Sequence, residues 1–500
     1  SDLSEDMYRQ IESYIVDNFG EKGNSRFVIA PDDAPYACTC ATCTALGNTE
    51  KNATPAITEL IIRLSQRFPK HFFFTTSYLT TQQVTDKQLP SNTGVIVSAI
   101  DYPLRRTDGK DEQDKKFAAQ LDNWKKVTNN IYIWDYINNF DDYLTPFPIL
   151  KIAQQRLQFF KQHGASGIFF NGSGYSYSSF DEMRTFVLSA LLINPELPVD
   201  DLIRSYFNQE YPASKKWLYD YYTELENNAQ SGKRIGLYAG IRESEKTFLY
   251  PDKFIKFYDE MGDFVSEAKG KERKKLHELQ TALSFTRLEL GRDHGFDAYG
   301  YAKRNGKEIQ PVPQARKWIT QLKEHKAFTG MEYYNESAYE IDYYIKEWEQ
   351  YLLASDIKKS LFLGLNPSAT PKLNKIDSKK LTDATHGLPG DYHCGWVIIP
   401  REECTISLPV KGLNASGTFY ISFLNLPRHR IYAPQQIQLL KDGIAYKTID
   451  LKPEDAPEKG EMIKATVSAD LNGAEQLSIK ISCLKKPGTQ MGIDEIAFIP

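Results

Sequence analysis

Four apolar runs in the first third of this 500-residue chain each end in a polar cluster that holds a carboxylate or an amide. A fifth run keeps the pattern but ends in hydroxyl side chains. Continuous apolar runs of this length, separated by helical segments, are typical of strands buried on both faces of a parallel sheet. In such sheets the chemistry gathers at the carboxyl ends of the strands. With their terminal clusters, the four runs are Phe27–Asp33, Val95–Tyr102, Ile131–Tyr136 and Ile168–Gly172, and the fifth is Phe72–Tyr78.

Helical segments alternate with these runs, which predicts an α/β fold. Apolar residues recur at helical spacing over residues 54–68, 149–163 and 180–192. The chain opens with a helix, however, whereas a (β/α) barrel normally starts with a strand. Five strand candidates precede Gly174, and an eight-stranded barrel needs about three more. We therefore expect residues 1–198 to be the C-terminal part of a TIM-type (β/α) barrel whose start is missing from this sequence.

Two further domains are predicted downstream. Strand patterns are replaced by long, aromatic-rich helices, which predicts a helical domain over residues 199–365. Short alternating strands separated by turn signals then follow, as in an antiparallel β-sandwich, and we assign residues 366–500 to it.

Composition excludes several classes of function. A formal net charge of −4 argues against nucleic-acid binding, which normally requires a basic surface, and the sequence holds no apolar stretch long enough for a membrane helix. No phosphate loop or dinucleotide fingerprint is present in the sequence, so no cofactor is expected. The 13% aromatic content is high, and exposed Tyr and Trp rings are surfaces on which sugars stack.

Several motifs between residues 26 and 212 resemble, in their order, those of a known family. They are APDDAPYACTCATC, IYIWDY, TPFPIL, HGASGIFFNG and LLINPELPVDDLIRSYFNQEYP. The chain resembles a bacterial family of large secreted proteins described as a domain of unknown function, itself similar to the α-glucuronidase and β-hexosaminidase barrels of glycoside hydrolases. The resemblance implies a carbohydrate substrate and a secreted, periplasmic or cell-surface location.

The C-terminal tail resembles the galactose-binding-type sandwich, a carbohydrate-binding module often attached to such enzymes. The motif Leu381-Thr382-Asp383 opens the tail, and IDEI at residues 493–496 closes it. The usual pattern has Gly after Leu-Thr-Asp, whereas this chain has Ala384. The substitution puts any ion or sugar site that depends on this turn in doubt.

Candidate catalytic residues follow from the chemistry of glycoside hydrolysis, which usually needs one protonated carboxyl and one ionised carboxylate. The adjacent Asp32 and Asp33 are candidates for the acid, since neighbouring carboxyls in a pocket repel and the pKa of one should rise. The resemblance implies that their strand is the fourth of the barrel. Asp135 then lies near the seventh strand, where such barrels commonly place the partner carboxylate. The alternative for each Asp is that it caps a helix or fixes a loop.

Other side chains at or just past the strand ends are predicted to bind substrate. Aromatic rings there can stack on sugars, and polar groups can bind hydroxyls. Local alternatives remain open: a place in the barrel wall for Trp134, a turn for Asp101 and Asn171, and a first-turn helix acid for Glu182. The predicted substrate-binding residues are Tyr78, Asp101, Tyr102, Trp134, Tyr136, Asn171, Tyr175 and Glu182.

Three cysteines, Cys38, Cys40 and Cys43, lie close together in sequence. They can be packed reduced thiols, or two of them can form a disulfide. They can also bind a metal, but a closed structural zinc site requires four ligands, and no second Cys or His pair follows nearby in the sequence. We prefer reduced thiols and predict no metal.

Together these observations predict a glycoside hydrolase that acts on a complex polysaccharide or glycan through two carboxylates at barrel strand ends. The first alternative is a non-catalytic glycan-binding protein that uses the same groove. Asn171 supports that alternative, because an amide stands where related sequences can carry an acid. The second alternative is a metal-dependent hydrolase that uses the cysteine-rich loop.

Overall fold

The computed structural model describes residues 5–107, 109–306, 308–354, 356–455, 457, 459–483 and 486–500. These residues form two compact units. The first unit comprises the described residues of ranges 1–138, 147–174 and 181–237, and the second comprises those of ranges 139–146, 175–180 and 238–500. No helix in these ranges is both long and apolar enough to span a bilayer.

The first unit is built on a five-stranded parallel sheet. All five apolar runs of the sequence contribute a strand, and the strands lie side by side in chain order. A parallel sheet in sequential order differs from a doubly wound sheet, in which the order reverses at a switch point. The strands are β1 Arg26–Val28, β2 Phe72–Ser77, β3 Thr93–Ser98, β4 Ile131–Tyr136 and β5 Gly167–Asn171.

Eight helices belong to the described part of the first unit. Helices α3, α4 and α5 cover one face of the sheet, where their apolar residues form a core with the inward side chains of β2, β3 and β4. The helices are α1 Glu5–Phe19, α2 Ala41–Ala45, α3 Thr54–Arg67, α4 Glu112–Lys125, α5 Leu150–Gln162, α6 Asp181–Ile193, α7 Val199–Glu210 and α8 Lys215–Ala229.

The opposite face of the sheet is also apolar but less buried, and we call it the open face. It carries side chains that alternate with those of the helix-covered face. Phe169 of β5 is 56% exposed and Val28 of β1 is 55% exposed. The members of the open face used below are Val28, Phe74, Tyr132, Trp134 and Phe169. The continuous apolar runs therefore reflect two apolar faces, of which the helices cover one.

Helices make up the first part of the second unit. The 25-residue α11 packs between α10 and α12 and is buried over most of its length from Leu276 to Arg292. The helices are α9 Ile241–Thr247, α10 Pro251–Glu267, α11 Gly270–His294, α12 Pro313–Thr329, α13 Ile341–Glu347 and, further along the chain, α14 Lys375–Lys380. A π-helical segment, Trp348–Leu353, continues α13, and a hairpin of β6 Ala302–Asn305 and β7 Glu308–Pro311 follows α11.

Two antiparallel sheets complete the second unit and enclose an apolar core. One has the order β13-β12-β15-β10-β8 and the other β14-β11-β16-β9. Alternate residues of both sheets point into this core, as in a β-sandwich. The strands are β8 Ser368–Thr370, β9 Val397–Ile399, β10 Glu403–Pro409, β11 Ser416–Asn425, β12 Gln436–Lys441, β13 Ile444–Asp450, β14 Glu461–Asp470, β15 Gln476–Ser482 and β16 Met491–Ile499.

Candidate functional site

The carboxyl ends of the parallel strands bring four predicted residues together. Tyr78 follows β2 directly, and its hydroxyl lies near enough to the carboxylate of Asp33 for that group to raise the pKa of Tyr78. Asp101 and Tyr136 are close enough to act electrostatically on the same hydroxyl. Burial and then the interaction with Asp33 raise the pKa of Tyr78 to about 12, so the phenol stays protonated at neutral pH. We call Asp33, Tyr78, Asp101 and Tyr136 the strand-end cluster.

An aromatic strip connects the strand-end cluster to the open face. Tyr136 is buried, and its hydroxyl lies 3.3 Å from Ser98 Oγ. Its ring is parallel to that of Trp134, with centroids 6.4 Å apart, and Trp134 meets the exposed ring of Phe169 edge-on at 5.8 Å. The indole N–H of Trp134 is buried and has no hydrogen-bond acceptor among the described residues.

Asp32, Asp33 and Asp101 are all exposed. Asp32 and Asp33 lie in the loop after β1, as the sequence predicts. Water screens the repulsion between exposed carboxylates, so adjacency in sequence does not create the strained pair that a closed pocket would impose. Of the two, Asp33 is the carboxylate that acts on the hydroxyl of Tyr78.

The structure argues against the predicted catalytic role of Asp135. Alternation along β4 places this side chain with Ile131 and Ile133 on the helix-covered face, and it is 1% exposed. Both carboxylate oxygens accept hydrogen bonds from Arg156 of α5, and Oδ1 also accepts one from the backbone N–H of Tyr136. A carboxylate that is enclosed and paired in this way cannot approach a substrate.

Tyr102 also departs from its predicted role in substrate binding. Its side chain is 4% exposed and stacks on Phe117 of α4, with centroids 4.6 Å apart. Its hydroxyl donates to Asp114 Oδ1 at 2.9 Å. The turn at Tyr102-Pro103 directs the ring back under the helices, so Tyr102 belongs to the core rather than to the rim.

The last three predicted binding residues are Asn171, Glu182 and Tyr175. Asn171 is half-buried at the end of β5, opposite Tyr136 in the strand register. Glu182 is an exposed acid in the first turn of α6 and accepts a hydrogen bond from Tyr206 at 2.8 Å, which fits the helix-acid alternative. Tyr175 belongs to the second unit and is fully exposed.

Cys38, Cys40 and Cys43 converge in the loop between β1 and α3. All three are thiols in the structure, and their sulfur atoms lie within 4.8 Å of one another. Cys43 is buried, whereas Cys38 and Cys40 are half-buried. These are the described residues whose arrangement best suits a metal ion.

A cleft of the second unit holds charged groups that no sequence motif indicates. His393 Nε2 lies 2.8 Å from Asp141 Oδ2, although 252 positions separate the two residues. Arg292 of α11 donates hydrogen bonds to Glu289 and to Asp391. The sequence offers no motif that links His393 to Asp141, so only the folded chain brings them together.

No curated protein matches the chain in sequence. A solved structure, "The structure of CBM51 from Clostridium perfringens GH95 in complex with methyl-galactose", shares 10% sequence identity and aligns with 24% of this chain and 83% of its own, with a TM-score of 0.15. A TM-score this low does not establish a shared fold. Residues 4–224, which span the five-stranded sheet, match the family model described as "Domain of unknown function (DUF4838)".

Proposed function

We propose that the strand-end cluster binds a carbohydrate and that the protein is a glycoside hydrolase whose working carboxylates are Asp33 and Asp101. The observation that carries this proposal is the approach of Asp33 to the hydroxyl of Tyr78, at strand ends that also hold Asp101 and Tyr136. Asp101 thus replaces Asp135, the partner that the sequence favoured. The sheet order is in keeping with a segment of a (β/α) barrel, in which catalytic groups sit at strand ends.

Each carboxylate has a role in this proposal. The protonated hydroxyl of Tyr78, close to Asp33, orients that carboxylate in this proposal, which suits a nucleophile or a base. Asp101, which lies in the loop after β3, supplies the acid that protonates the leaving oxygen. The resemblance of the sequence motifs to a family that is itself similar to glycoside hydrolase barrels supports the reaction class and a secreted location.

The aromatic strip supplies the binding surface in this proposal. The C–H faces of sugar rings pack on aromatic rings, and Trp134 and Phe169 form such a surface beside the cluster. The unpaired indole N–H of Trp134 adds a donor to a face that is otherwise apolar.

A glycan-binding protein without turnover is the second candidate, and two observations favour it. Asp135 is engaged by Arg156, and Asn171 presents an amide at the end of β5. Because β2 ends in hydroxyl side chains, three of the five strand ends lack an available acid.

The test compares hydrolysis and binding across a panel of plant and host glycans, with Asp33→Asn, Asp101→Asn and Tyr78→Phe. Asp32→Asn is the matched control, because Asp32 is an equally exposed neighbouring acid. For a hydrolase, we expect kcat to fall by about 10²-fold or more in the two catalytic variants, with folding intact and the control unchanged. Binding that survives in Asp33→Asn, without turnover in the wild type, identifies the glycan-binding alternative. If Asp32→Asn lowers kcat as much as Asp33→Asn, or if the wild type neither binds nor cleaves any glycan, the proposal is wrong.

A further inference from the structure

The loop between β1 and α3 gathers three thiols from a short stretch of chain. The sulfur atoms of Cys38, Cys40 and Cys43 all lie within 4.8 Å of one another. Zinc–thiolate bonds of about 2.3 Å in a tetrahedral arrangement place sulfur atoms about 3.8 Å apart. Three sulfurs that are mutually this close are therefore positioned to share one ion, with little movement of the loop.

Hydrogen bonds of the protein hold this loop in place. The buried Asn48 side chain donates through Nδ2 to the carbonyl of Cys38 at 3.1 Å, and its backbone N–H donates to the carbonyl of Cys43 at 3.0 Å. Asn48 Oδ1 accepts the backbone N–H of Ala56 in α3 at 3.0 Å. A single residue, through its side chain and its backbone N–H, thus ties both ends of the cysteine cluster to a helix of the core, so the thiols converge on a fixed frame.

We propose that Cys38, Cys40 and Cys43 bind one zinc ion as thiolates and leave a fourth position open to solvent or to a small ligand. Thiolates are soft ligands that select zinc, copper(I) and iron–sulfur clusters over magnesium or calcium. Three ligands with an open position distinguish this arrangement from the closed four-ligand sites of zinc fingers. Cys38 and Cys40 are half-buried and form the accessible side of the cluster, whereas Cys43 is buried.

The site has a structural consequence that does not depend on the proposed hydrolase activity. The cluster begins five residues after Asp33, and Asn48 links it to α3. An ion bound there cross-links the loop that carries Asp33 to the frame of the first unit. Metal binding is therefore expected to raise the thermal stability of the protein and to protect all three thiols from alkylation.

The experiment measures zinc directly on the full chain. Protein prepared under reducing conditions is dialysed against Zn²⁺ or Co²⁺, and bound metal is determined by elemental analysis and by sulfur-to-cobalt charge-transfer absorption. We expect one ion per chain and protection of the two half-buried thiols, Cys38 and Cys40, from a colorimetric reagent. Cys38→Ser and Cys40→Ser should each weaken zinc binding by at least about tenfold. Cys404→Ala is the matched control, because Cys404 is buried in the sandwich core, and it should keep the ion.

Two results overturn the proposal. One is wild-type protein that binds no zinc while Cys38 and Cys40 react with the reagent. The other is a disulfide within the cluster, in protein prepared without reductant, that persists in the presence of zinc. Thiol protection and chelation of the wild type keep the test decisive if a serine variant fails to fold. Loss of zinc binding in Cys38→Ser or Cys40→Ser with glycan turnover unchanged supports the zinc site and leaves the proposed hydrolase standing. An absence of glycan turnover in zinc-loaded wild-type protein counts against the proposed hydrolase alone.

Discussion

Asp135 and Arg156 form a buried two-point ion pair, in which Nε lies 2.9 Å from Oδ2 and Nη2 lies 2.6 Å from Oδ1. Both side chains are 1% exposed. Arg156 also donates through Nη1 to the carbonyl of Pro103 at 3.1 Å. The pair therefore joins β4 to α5 and to the loop after β3.

We predict that Asp135→Ala is a stability variant. Removing the carboxylate leaves the Arg156 charge buried without its partner, which costs about 3–5 kcal/mol. Denaturant unfolding followed by circular dichroism measures this loss. The control is Asp101→Ala, an exposed acid whose removal should change the free energy of unfolding by less than about 0.5 kcal/mol. A stable Asp135→Ala protein that has lost turnover would restore the catalytic role.

Gly94 of β3 provides a test of the packing on the open face. A Cβ at this position would lie 2.4 Å from the backbone oxygen of Asn130 and 2.5 Å from the ring of Phe74. We expect Gly94→Ala to cost about 2 kcal/mol or more, because backbone must move to admit the methyl group. Gly172→Ala is the control, since its nearest neighbour, the Ile137 side chain, is at an ordinary contact distance of 3.5 Å. Denaturant unfolding measures both variants. Equal unfolding midpoints would show that the backbone of the sheet moves to admit the methyl group at little cost in stability.

The pair of His393 and Asp141 predicts a pH dependence of the second unit. Burial lowers the pKa of His393, but the hydrogen bond to Asp141 and the charges of Asp391 and Glu243 outweigh burial and raise it to about 8. The raised pKa means that the folded protein holds this proton more tightly than the unfolded chain. The resulting stability is fully present below pH 6.5 and is lost as the pH rises through about 8.

Asp141→Asn should remove most of this pH dependence. The wild type is expected to lose on the order of 2 kcal/mol between pH 6 and pH 9 through this group, and the variant much less. Melting curves at a series of pH values, with the His393 ring followed by NMR, check both statements. A His393 titration that is unchanged in Asp141→Asn contradicts the assignment of the shift to this pair.

Ala384 stands where the galactose-binding-type sandwich pattern has glycine, and the structure shows the backbone that glycine would favour. Its φ is +57°, and its N–H donates to Glu495 Oε2 at 2.9 Å. The turn is therefore retained, at the cost of a left-handed alanine. We expect Ala384→Gly to keep or slightly raise the melting temperature, since relief of about 1 kcal/mol is partly offset by a more flexible unfolded chain.

Ala384→Val is the contrasting variant. A β-branched side chain at positive φ in a buried site should destabilise the protein by about 1–3 kcal/mol. Thermal unfolding of the three proteins should rank glycine first, alanine next and valine last. A valine variant as stable as the wild type would mean that the turn can abandon its left-handed conformation.

Local patterns located the elements of the first unit well, because hydrophobic periodicity acts within a few residues. The run Ile131–Tyr136 has the bounds of β4, and each of the other four runs overlaps a strand. In the sandwich, β13, Ile444–Asp450, carries no such signal, because its side chains are mostly exposed and show no apolar alternation. Two acids at the strand ends, Asp33 and Asp101, act on the hydroxyl of Tyr78.

The amino-acid sequence by itself determined where apolar strands and helices form, and that acids and aromatics follow the strands. Only the tertiary structure decided which of those acids face solvent. The side chains of β4 are apolar on both faces of the sheet. No local pattern therefore reveals that helix α5 covers the face that carries Asp135. Arg156, 21 positions further along the chain, forms its ion pair with Asp135 there. His393 and Asp141 are 252 positions apart and meet only in the folded chain. Short-range sequence patterns therefore do not predict such contacts.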